Sequence, residues 1–142
     1  MAANKEPIFI ATPRVEVTEL NSATHGATDA AAQLVFTAGP DGSRIHAICL
    51  ASRGVTPTNV ANLWIEDDVG NKRLIGAKAT LDFSGSVGAL NPSNNLLDFE
   101  TMAWIDPAEP FLILQADQKL YVSTSDDPVA AVNTVMVAGG DY

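Results

Sequence analysis

The sequence predicts an all-β protein, an antiparallel β-sandwich, jelly-roll-like or Ig-like, of roughly 8–10 short strands. Three observations lead there. Short apolar runs recur between clusters of Gly, Pro, Asn and Asp along most of the chain. No segment carries an apolar stripe at helical spacing over ten residues or more. The 142 residues are 46% hydrophobic and only 18% charged, a composition that favours a packed core over disorder.

Residues 1–13 are polar or interrupted by Pro7 and Pro13, with one apolar patch, Ile8-Phe9-Ile10. They read as an extended N-terminal arm, and residues 14–142 as a single domain. Val15 to Leu20 alternates as a half-buried strand. Asn21 to Ala32 is small and polar, so a solvated loop is expected there, with Asp29 able to cap a short turn. Leu34-Val35-Phe36-Thr37 then leads through Gly39-Pro40-Asp41-Gly42 into Ser43 to Ile48. Pro pre-sets a turn, Asp bonds its own backbone and Gly accepts positive φ, so this stretch reads as a β-hairpin.

Val60 to Glu66 forms the next strand, with Asn62, Trp64 and Glu66 on one face and Ala61, Leu63 and Ile65 on the other. Asp67 to Asn71 turns the chain, and Lys72 to Phe83 returns it with Lys72, Lys78, Thr80 and Asp82 towards water. Ser84 to Asn95 reads as loop, and Leu96 to Ile105 as a stretch holding a strand. Phe111 to Gln115 and Leu120 to Thr124 flank a short turn and read as a second hairpin. Val129 to Ala138 is the last strand, followed by Gly139-Gly140-Asp141-Tyr142.

Charge narrows the choice of partners. Eight Lys plus Arg against seventeen Asp plus Glu give a formal net charge of -9. Such an excess repels phosphate, so nucleic acid is not expected as a partner. No run approaches the length of a membrane span, and the N-terminus lacks a signal-peptide pattern, so synthesis in the cytosol without export is expected. Cys49 is the only cysteine and sits in an apolar run, which predicts a small buried hydrophobe.

Catalytic signals are weak. His25 lies in the polar loop, and His46 is placed by period-two counting with Arg44, Ile48 and Leu50. Neither has a second ligand at metal-binding spacing. Asp98 and Glu100 sit two apart and share a face if their segment is a strand, an arrangement that an acid-pair hydrolase would need. A wet strand face accounts for them more simply. Asp67-Asp68 and Asp126-Asp127 are acidic turns without the alternating ligand pattern of a calcium loop. Trp64 and Trp104 are read as core residues, since Trp packs inside β-domains more often than it presents a sugar platform. No cofactor is expected, and the chain reads as non-enzymatic.

The Phe36-Thr37-Ala38-Gly39-Pro40-Asp41-Gly42-Ser43-Arg44-Ile45 stretch, the late Leu114-to-Val122 segment and the valine-rich ending on Ala138-Gly139-Gly140-Asp141-Tyr142 resemble small virion structural proteins of tailed bacteriophages. The resemblance implies a head decoration or cement protein, or a tail accessory, located in the virion. It implies binding to the major capsid protein or other virion proteins, as a homo-oligomer and often a trimer. The extended arm suits strand addition to a neighbour's sheet edge, which makes Ile8, Phe9, Ile10 and Arg14 the candidate partner-binding residues. A carbohydrate- or receptor-binding β-module is the alternative.

Overall fold

The computed structural model describes residues 10–20, 24–53, 59–80, 94–98, 101–125 and 132–142. Among them lie nine strands and one 3-10 turn, Asp29–Ala31. The strands are β1 (Thr12–Glu19), β2 (Gln33–Thr37), β3 (Ser43–Arg53), β4 (Asn59–Glu66), β5 (Lys72–Thr80), β6 (Asn94–Asn95), β7 (Leu112–Leu114), β8 (Lys119–Thr124) and β9 (Val132–Asp141). They form two antiparallel sheets, an all-β sandwich. One sheet runs β1-β9-β3-β6, with β7 also on β3, and the other runs β2-β8-β4-β5.

The pairing follows one rule. Centred on the turn at residues 67–71, β4 pairs with β5, β3 with β6 and β7, β2 with β8, and β1 with β9. The chain is thus one long antiparallel ribbon folded at its middle. Rolling that ribbon brings β9 against β3 and β8 against β4, which closes the two sheets. This is the jelly-roll wind.

The central turn is locally encoded. The Asp67 N–H donates to the Asn71 carbonyl at 2.8 Å, and Gly70 takes φ 87°, a conformation that costs glycine nothing. The two other expected hairpins are not hairpins. β2 and β3 flank the Gly39–Gly42 turn but lie in opposite sheets, and so do β7 and β8 around residues 115–118. Both turns carry the chain over one end of the sandwich. They dock on each other, the Ala38 N–H donating to the Gln118 carbonyl at 2.9 Å and the Asp117 N–H to the Gly39 carbonyl at 3.2 Å. Turn residues specify the reversal, whereas the strand that pairs is chosen by distant apolar faces.

The core fills the space between the sheets. Ile45, Ile48, Leu50, Leu114, Val135 and Val137 come from one side, and Phe36, Leu63, Leu120 and Val122 from the other. Leu96, Leu97, Met102 and Ile105 also enter it, but not from the strand expected over residues 96–105. Only Asn94 and Asn95 are extended, and the described residues beyond them turn. Asp98 causes this: its side chain accepts from the Thr101 N–H at 2.8 Å and hydroxyl at 2.7 Å, and its carbonyl from the Met102 N–H.

Bulges overturn several expected faces. Between Ile45 and Ala47 the pairing with β9 skips a residue, so His46 points to solvent while Ile48 and Leu50 turn inward. A second shift lies between Leu63 and Trp64, opposite Ile75 of β5. Thr80, expected in water, is buried with its hydroxyl donating to the Asn59 carbonyl at 3.1 Å. Lys78, expected in water too, is bonded to Asp98 and donates to the Asn95 carbonyl.

Candidate functional site

β1 supplies the part of the expected partner-binding region that the structure describes. Ile8 and Phe9 lie outside the described residues. Ile10 is half-buried, and the Ala11 N–H donates to the Asp141 carbonyl at 2.8 Å. β1 begins at Thr12, so the range read as an arm ends inside the strand.

Arg14 is held by the domain itself. Its Nη1 donates to both carboxylate oxygens of Asp141 at 3.1 Å and to the Thr37 carbonyl at 3.0 Å, and its Nη2 donates to Glu16. The guanidinium lies 4.6 Å from the centre of the Phe36 ring. Asp141 also accepts from the Ser43 hydroxyl at 2.5 Å and the Gly39 N–H at 3.2 Å. Partial burial opposes ionisation of this carboxylate, yet the Ser43 hydroxyl, Arg14 and the Gly39 amide together hold its pKa below the usual range. The corner joins β1, β2, β3 and β9 through one carboxylate.

The valines of β1 point away from the core. Val15 and Val17 are each 65% exposed, while Arg14, Glu16 and Thr18 take the inner face. Register continues this outer surface across the sheet. Val17 pairs with Met136, which pairs with Cys49, and Val15 with Ala138, which pairs with Ala47. Cys49, expected in the core, is thus a half-buried member of an outward face. The middle of that face is apolar and carries no charge. Alternation alone could not show it, because a strand's period assigns residues to two faces without saying which one is covered.

The other candidates separate. Asp98 serves the turn described above, bonded to Lys78, and Glu100 lies outside the described residues. Burial disfavours the Asp98 anion, but Lys78 and Thr101 outweigh it and lower its pKa. His25 and His46 are both exposed. Trp64 is a core residue as expected, its Nε1 donating to the Ser123 hydroxyl at 3.0 Å. Trp104 is not: it stands 62% exposed in the turn-rich segment before β7. Its neighbours Asp106, Pro107, Ala108 and Glu109 are exposed as well.

Glu66, Asp67, Asp68, Asp117 and Lys119 line a shallow depression of about 380 Å³. Two of its carboxylates have partners within the chain. Glu66 accepts from Lys119 at 2.8 Å and from the Tyr121 hydroxyl at 2.5 Å, and both lower its pKa. Asp67 is held low chiefly by the Asn71 N–H, with Arg73 assisting. Among the described residues no cluster of three or more His, Cys, Asp or Glu is placed to hold a metal ion. No helix there is long and apolar enough to cross a membrane. Asp126 and Asp127 lie outside the described residues.

No family model and no curated protein matches the sequence. Among solved structures, the chain is similar to one described as the structure of infectious bursal disease virus Gx strain, with 15% identity and a TM-score of 0.32. That alignment covers 91% of this chain and 33% of the other, so the chain spans about a third of its length.

Proposed function

We propose that this protein is a non-enzymatic structural component of a virion, a bacteriophage capsid decoration or cement protein that binds the major capsid lattice and stabilises it. The observation that carries this reading is the outer face of the β1-β9-β3 sheet. A row of exposed Val15, Val17 and Met136 beside Ala47, Cys49 and Ala138 offers an uncharged surface on a chain whose net charge is -9. Depletion of charge is the mark of an interface core. The jelly-roll wind is an architecture used by capsid domains, which supports the reading by analogy only.

The charge distribution fits. Asp41, Asp68, Asp106, Glu109 and Asp117 lie exposed in turns. They keep free copies soluble while the sheet face stays neutral for docking. Mass spectrometry of purified particles from the phage encoding this chain should find it among the virion proteins in lattice stoichiometry. Particles without it would sink the reading, and copies confined to tails would select the tail-accessory form.

Trp104 favours one second reading, a carbohydrate- or receptor-binding module, because an exposed indole stacks on sugar faces. On that reading Trp104→Ala abolishes glycan retention and leaves folding intact. Retention unchanged by the substitution rejects it.

A further inference from the structure

We infer that β1 is a self-complementary edge, which pairs antiparallel with β1 of a second copy about a two-fold axis through Val15. Among the described residues β1 is the terminal strand of its sheet. Its pairing with β9 runs without a shift from Thr12↔Asp141 to Glu19↔Thr134, and the Leu20 N–H continues it by donating to the Asn133 carbonyl at 2.8 Å. Counting back from that bond, the main-chain groups of Arg14, Glu16 and Thr18 face β9. Those of Pro13, Val15, Val17 and Glu19 face the open edge. Pro13, which has no N–H to offer, thus sits where an edge proline belongs.

Folded proteins protect sheet edges with lysines, bulges or short strands. The other edges here follow that practice. β5 carries Lys72, Arg73 and Lys78 with a register shift opposite it, β2 is a bulged five-residue strand, and β6 and β7 have two and three residues. β1 has eight residues, no lysine and no bulge; Pro13 guards only its start, and the valines beyond it stand exposed. Its two central charges, Arg14 and Glu16, bind each other.

Charge selects both the occupant and the register. With Val15 on the axis, Arg14 stands opposite Glu16 of the second copy, and Glu16 opposite its Arg14. Unlike charges then meet twice, in the closely spaced pairs of the ladder. Shifting the axis to Arg14 sets Arg14 against itself, and shifting it to Glu16 sets two carboxylates together. In the selected register the two Val15 residues exchange main-chain bonds, and each Val17 N–H donates to a Pro13 carbonyl. The apolar outer rows of the two sheets then join into one surface.

Sedimentation of the unmodified chain tests this first. Its mass should rise with concentration from 14.9 kDa to twice that value. Val15→Lys, at a position already in solvent, should weaken association at least tenfold while circular dichroism stays unchanged. In a Cys49→Ala background, Val15→Cys should form a disulfide-linked dimer on mild oxidation, since paired Cα atoms about 5.5 Å apart lie within disulfide reach. Val17→Cys, which faces Pro13 of the second copy, should not. A monomer persisting into the millimolar range overturns the proposal. A trimer does too, because a two-fold edge closes at two copies, and cross-linking at position 17 in place of 15 overturns the register. None of these results depends on whether the chain is found in virions.

Discussion

Single residues hold the C-terminal end of β9 in place, and glycine is required there for a steric reason. A Cβ on Gly139 would lie 2.3 Å from the Arg44 carbonyl oxygen and 3.0 Å from the Cα of Ile45. Both are backbone atoms and cannot rotate aside. Gly139→Ala should therefore destabilise the fold by about 1–3 kcal/mol, read as a lower denaturation midpoint at constant m-value. The two tryptophans give a matched pair. Trp64→Phe removes the donor to Ser123, whose hydroxyl is fully buried, and should cost about 1–3 kcal/mol. Trp104→Phe at an exposed site should stay within about 0.5 kcal/mol in the same melt. Equal losses at both positions would contradict the burial that separates them.

Elements here are held by partners distant in sequence. The described residues of 96–105 have strand composition but turn, because Asp98 gives Thr101 and Met102 acceptors within reach and is itself held by Lys78 of β5. Asp98→Ala removes those side-chain acceptors and leaves the largely buried Lys78 ammonium without its anion. A loss of about 2 kcal/mol is expected, with faster hydrogen exchange at the Thr101 amide than elsewhere in the core. Uniform exchange across the sandwich would show that the turn has no stability of its own. β1 illustrates the same dependence. Its alternation predicts a half-buried strand without naming the buried face, and Arg14 on Phe36 and Asp141 turns the valine face outward.

At the scale of the whole molecule, carboxylates with depressed pKa values tie stability to pH. Asp98, Asp141 and Glu66 all have folded-state pKa values below their ordinary values of 3.8, 3.8 and 4.5. As pH falls, the unfolded chain takes up protons at these groups before the folded one does. Their contribution is thus fully present above the ordinary carboxylate range and is lost as pH falls through the depressed values. The melting temperature should be nearly flat from neutrality to about pH 5 and drop below about pH 4. Asp141→Asn should flatten part of that drop. Tyr121 marks the opposite limb. Burial and the adjacent Glu66 push its pKa up to about 12, so in a Tyr142→Phe variant the phenolate absorbance should emerge only near that pH.

The all-β class and the reversals at Gly39–Gly42, Asp67–Asn71 and residues 115–118 were determined by the sequence alone. Period-two alternation, turn chemistry and the spacing of apolar runs are local properties, and each is physically decided within a few residues. Leu63, Val135, Val137 and the Asp67–Asn71 hairpin were legible on those grounds. Tertiary structure decided which strands pair and which faces are covered. Gly39–Gly42 and residues 115–118 have hairpin chemistry, yet each crosses between sheets, because burying Phe36, Leu114 and Leu120 in one core outweighs adjacency in the chain. The bulge at His46 shifted a period by one residue and turned Ile48 and Leu50 inward, a change no local pattern announces. The candidate surface belongs to the same category. Val15, Val17, Met136 and Cys49 are apolar residues that any reading of composition would place inside, and only the packing of the two sheets leaves them on the outer face.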